Sequence, residues 1–172
     1  MSKRELKKYL NSLTKTQLEE QFSELYDKFP EVKKYYDFVF NPKEDKLISE
    51  ARIKISNEYF PIKTKRAKLR RSVAQKYIKQ FLLLGVEPHG VLDVMLFTIE
   101  TAQKYTAKRE MRYASFYKSM LNSFEQAVKY AIATGIIYDF KDRISAIYSE
   151  VIRQRWENQY EFERVVEQVE GV

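Results

Sequence analysis

Six cations fall between positions 63 and 71, at Lys63, Lys65, Arg66, Lys68, Arg70 and Arg71, with no acidic residue among them. Clustered lysine and arginine neutralise phosphates and release counterions, so this run is a candidate site for an anion or a nucleic acid. A helix beginning near Lys68 would add free N–H groups and the positive end of its dipole. Tyr59, Phe60 and Tyr77 lie close in sequence and could stack on unpaired bases. The plainer alternative is a solvated basic loop, with Arg70 and Arg71 at the start of a helix beside the core, paired to carboxylates of a neighbouring helix.

Asp93 and Glu100 are seven residues apart, so a helix carries both on about the same side. Two carboxylates in an apolar helix suit acid–base chemistry or a metal, or else an ion pair with a cation such as Arg70 or Arg71. His89, the only histidine, sits in the turn Glu87-Pro88-His89-Gly90 and could join Glu87 or Asp93 in a mixed site. No nucleophile accompanies these groups. The chain has no Gly-rich phosphate loop, no paired-histidine motif and no recognisable catalytic signature. No enzyme activity, cofactor or metal is expected.

Aromatic residues are abundant, with 13 Tyr and 11 Phe against one Trp. Most fit inner helix positions, with hydroxyls reaching the rim. Trp156, Tyr160 and Phe162 near the C-terminus form the candidate interaction surface, since large aromatic side chains anchor interfaces.

Helices must position all of these groups. Ser2 with Glu5 and Thr14 with Gln17 read as capping boxes, opening a short helix and a longer one around a corner at Asn11-Ser12. Leu18, Phe22, Leu25 and Tyr26 make the inner face of the second. Pro30 starts a third helix, with Val32, Tyr35, Tyr36 and Val39 inward. A fourth runs from about Asp45 to Tyr59, with Arg52, Lys54 and Glu58 facing out. A fifth, from about Lys68 to Leu84, turns Val73, Ala74, Tyr77, Ile78, Phe81 and Leu82 inward. Val91 to Ile99 is apolar nearly all round, which predicts a central helix from Gly90 to Thr106 with neighbours around it. A long helix from Arg109 to Thr134 follows, with Tyr113 among its inner residues. An eighth from near Asp139 carries Trp156, and Phe162, Val165, Val166 and Val169 form a last amphipathic turn or two.

The spacing therefore predicts an all-α, multi-helix antiparallel bundle of about eight helices around a central apolar helix. It is read as a single all-helical domain over 1–172. A short α-superhelix of helix pairs is the alternative, disfavoured because no repeat recurs at a fixed period. With 44% hydrophobic and 32% charged residues, 4 Gly and 4 Pro, the composition is that of a globular chain. The absence of cysteine excludes disulfides and thiolate ligands. No signal-like or membrane-spanning stretch appears, and the expected location is cytoplasmic. Net charge is +7, and the excess lies up to Ser72, where 18 basic residues face 11 acidic ones against 13 and 13 beyond.

Several phrases together carry a resemblance: Leu6-Lys7-Lys8-Tyr9-Leu10, Leu25-Tyr26-Asp27-Lys28-Phe29, Val32-Lys33-Lys34-Tyr35-Tyr36, Glu58-Tyr59-Phe60-Pro61 and Lys68-Leu69-Arg70-Arg71-Ser72-Val73-Ala74. Over nearly its whole length the chain resembles a small family of uncharacterised bacterial helical proteins, a domain of unknown function. The resemblance implies a bacterial cytoplasmic protein and no assigned activity or site. The expected role is a non-enzymatic protein-interaction or adaptor module, with a protein partner or self-association through the C-terminal aromatics. Nucleic-acid binding through 63–71 is the alternative, and no membrane is involved.

Overall fold

The computed structural model describes residues 2–63 and 66–170. The fold is all-α and multi-helical, with nine helices and no strand among the described residues. Two compact units divide the chain, Met1–Lys43 and Glu44–Val172.

The first unit holds α1 (Lys3–Ser12), α2 (Lys15–Lys28) and α3 (Pro30–Phe40). Both capping boxes are present: Ser2 and Glu5 satisfy each other's backbone N–H groups at α1, and Thr14 and Gln17 do so at α2. Pro30 occupies the first turn of α3, where its missing N–H costs nothing. Phe22 meets Tyr36 edge-on at 4.6 Å between centroids, and the Tyr26 hydroxyl donates to Asp37 at 2.5 Å. The faces expected to turn inward here do not form a core, because none of the three helices buries a residue.

The second unit carries the core. Its helices are α4 (Glu44–Tyr59), α5 (Arg71–Leu84), α6 (Pro88–Thr106), α7 (Ala114–Ala133), α8 (Ile137–Arg153) and α9 (Gln159–Glu170). Within it α6 packs against α4, α5, α7 and α8, while α9 lies on α7 and α8. Val91, Leu92, Val94, Leu96 and Ile99 of α6 are fully enclosed. No helix is long and apolar enough to cross a membrane among the described residues.

Several expected positions move. Glu58 is buried and not on the outer face of α4. Leu82 is exposed, while Leu84 and Val86 take the inner positions at the end of α5. Tyr113 precedes α7 as its N-terminal cap and is exposed. Trp156 lies beyond α8, which ends at Arg153, and the last amphipathic stretch is a helix of its own.

Three helices stop in the same way. A residue in the left-handed conformation follows the helix at Gly85 (φ 76°), Gly135 (φ 73°) and Arg155 (φ 54°). The next N–H then reaches back to the helix: Val86 to the Phe81 carbonyl, Ile136 to Ala131 and Trp156 to Val151, at 3.0, 3.0 and 3.1 Å. Val86, Ile136 and Trp156 are each buried, the apolar contact that accompanies this motif. Glycine takes the left-handed conformation without a Cβ penalty, and arginine does not. Arg155→Gly is accordingly expected to raise stability by about 1 kcal/mol, read as a higher urea midpoint at unchanged slope.

Candidate functional site

An open groove of about 650 Å³ runs between the C-terminal half of α6 and α8. Phe60, Ala107, Ala146 and Ile147 supply its apolar lining, with Glu100, Gln103, Lys104, Lys108, Glu150 and Arg153 around it. Phe60 comes from the loop after α4 and is held by the Tyr105 ring at 5.9 Å, while the Arg109 guanidinium covers that ring at 5.4 Å. Glu100 and Lys104 are spaced by four and share one side of α6, and Lys108 follows in the turn that ends the helix.

The carboxylates of the groove are already engaged. Glu100 accepts from Arg143 through Nε at 2.6 Å and Nη2 at 2.9 Å. Glu150 accepts from Arg153 through Nε at 2.7 Å and Nη2 at 2.5 Å, and the hydrogen bonds from Arg153 hold its carboxyl below the usual carboxylate range. Lys104 and Lys108 stand in no ion pair among the described residues. The groove thus offers an apolar floor and two uncompensated ammonium groups.

Beneath it Arg143 bridges the two acids of α6, donating to Asp93 Oδ1 at 2.8 Å and to Glu100. Arg52 of α4 completes the cluster, 2.6 Å from Asp93 and over the Phe97 ring at 5.0 Å. Burial works against the charge of Arg143, and its hydrogen bonds to Glu100 and Asp93 outweigh that, raising its pKa. Asp93 and Glu100 are therefore salt-bridged as the structural alternative expected, although their partners are Arg143 and Arg52 instead of Arg70 or Arg71. His89 stands one turn ahead of Asp93 on α6 and is paired with Asp139 at 2.8 Å, where both side chains are exposed. The histidine and Asp93 are thus each engaged with a different partner, His89 with Asp139 and Asp93 with Arg143 and Arg52.

The basic run is divided among several tasks. Lys65 lies outside the described residues. Lys63, Arg66 and Lys68 are exposed. Arg70 is clamped by Glu58 through Nε at 2.8 Å and Nη2 at 2.7 Å. The Glu58 carbonyl also accepts from the N–H groups of Lys68 and Leu69, so the last turn of α4 captures the end of the loop. The hydrogen bonds from Arg70 keep the Glu58 carboxyl below its ordinary value despite burial. Arg71 donates to Ser123 at 2.7 Å and Gln126 at 2.9 Å, and burial lowers its pKa. Of the rings offered for stacking, Tyr59 is buried and Tyr77 half-buried, leaving Phe60 accessible.

Two members of the C-terminal aromatic surface are corrected. Trp156 is 2% exposed and Phe162 fully enclosed; they meet edge-on, Trp156 also meets Phe116 edge-on, and Phe162 lies against Phe124. Tyr160 alone is exposed. Sequence reasoning passed over Lys104 and Lys108, whose spacing after Glu100 was the visible signal. It also passed over Arg143, whose partners lie far away in the chain.

A family model described as a family of unknown function, DUF6155, matches residues 1–170. No curated protein and no solved structure matches the chain.

Proposed function

For a chain that belongs to the DUF6155 family, whose function is unknown, we propose a role in binding and not in catalysis. The groove between α6 and α8 takes an acidic segment of a partner protein, anchored by apolar side chains. The observation that carries this reading is the contrast within the groove. Its carboxylates are neutralised by Arg143 and Arg153, while Lys104 and Lys108 are left to meet an incoming anion beside Phe60 and Ile147. A floor of this kind favours a helix or strand with a leucine or phenylalanine anchor, and the lysines set its charge. Against catalysis stands the engagement of Asp93 and Glu100 in ion pairs with Arg143 and Arg52.

The test uses a fluorescein-labelled amphipathic peptide carrying leucines on one face and glutamates on the other. Binding that weakens at least about tenfold in Lys104→Glu/Lys108→Glu supports the reading. Equal affinity in that variant overturns it. A single-stranded oligonucleotide that binds at physiological salt, indifferent to this double reversal but abolished by Arg66→Glu, would instead move the site to the 63–71 loop.

A further inference from the structure

The first unit has apolar faces without a core. Leu6, Leu10, Leu18, Phe22 and Leu25 are each 37–44% exposed, and Phe40 is 81% exposed. A unit of this size buries too little surface to be stable without help, and association is one of the usual remedies. Its charges are also segregated. Helix α1 carries Lys3, Arg4, Lys7 and Lys8 against Glu5 alone, while α2 carries Glu19, Glu20, Glu24 and Asp27 against Lys15 and Lys28. The one ion pair on these two helices is Lys15–Glu19, internal to α2, and none joins α1 to α2 among the described residues. An excess of basic charge on α1 and of acidic charge on α2 therefore coexist on one small unit, and apart from Lys15–Glu19 neither is answered by an ion pair among the described residues.

We infer that this unit associates with the same unit of a second copy of the chain, α1 of each lying along α2 of the other. A two-fold axis makes any such contact occur twice, which suits a surface that is complementary to itself. The leucines and Phe22 then lie between the helices, with the lysines of α1 beside the glutamates of α2. This interface is independent of the groove in the second unit, and it replaces the C-terminal aromatics as the place where copies meet.

Sedimentation of the full chain tests it. The wild type is expected to dimerise, with a dissociation constant that rises with salt. Lys3→Glu/Lys7→Glu/Lys8→Glu makes both helices acidic, and Glu19→Lys/Glu20→Lys/Glu24→Lys makes both basic, so each variant alone should dimerise at least about tenfold more weakly. Mixed in equal amounts, the two variants should form a heterodimer by native mass spectrometry, because both contacts then join unlike charges. A wild type that stays monomeric at every concentration overturns the inference. So does a variant that dimerises as well as wild type, or a mixture that stays apart. Circular dichroism checks that the exposed substitutions leave the helices intact. Should either variant lose helix, the wild-type salt series decides, and a dimer indifferent to salt sinks the proposal.

Discussion

Trp156→Ala is expected to cost about 4 kcal/mol of stability, to be read from urea denaturation followed by circular dichroism. The figure follows from complete enclosure: Trp156 touches Phe116, Tyr117 and Phe162, and removing the indole leaves a cavity walled by rings. Its Nε1–H also donates to Gln154 at 3.2 Å, and Gln154 in turn reaches the Gln103 carbonyl and Thr106 at the end of α6. The truncation thus loosens a polar junction between α6 and α8 along with the packing. Were Trp156 a surface anchor, the same substitution would change stability by less than about 0.5 kcal/mol. The two outcomes are far enough apart for one titration to separate them.

Arg143→Ala is expected to give the second large effect, a loss of about 2 kcal/mol. Removing one partner of a fully buried ion pair costs roughly 3–5 kcal/mol, because the other charge stays behind without compensation. Asp93 and Glu100 keep about a quarter of their side-chain surface in water (21% and 27%), which reduces that figure. Arg52 still answers Asp93, so most of the loss falls on Glu100. Arg143→Ala/Glu100→Gln should therefore be more stable than Arg143→Ala, with Trp156 fluorescence reporting each urea midpoint. Equal stabilities would show that the Arg143–Glu100 pair contributes nothing. Arg143→Lys keeps the charge but loses the planar fork that spans both acids, and it should fall between wild type and alanine.

What was legible in the sequence is what short segments settle alone. The capping boxes at Ser2 and Thr14, the prolines opening α3 and α6, and the glycines after α5 and α7 are choices made within a few residues, and the helices begin and end close to them. The end of α8 was hidden because Arg155 occupies the place that glycine takes in the other two. Nothing in the composition announced a stop, and Trp156 was read as part of a continuing helix. Burial in the second unit was partly legible from spacing, yet Glu58 was placed outside because a carboxylate predicts its own exposure. Only the bend that returns Arg70 to it shows otherwise. In the first unit the apolar stripes were visible, but a stripe says that a face calls for cover and not what covers it. The candidate groove was not legible at all, since Phe60, Lys104 and Glu150 come from three elements that only the tertiary fold brings together.

The fork of Arg143 has a consequence apart from energy. Apolar ridges on packed helices recur every turn, so α8 could slide along α6 or roll against it by small steps and lose little burial. One rigid guanidinium that meets two acids seven residues apart is satisfied at a single offset and a single rotation. It acts as the key that sets the register between the two helices. The width of the groove above it, with the distance from Lys104 on α6 to Ile147 on α8, is inherited from that setting.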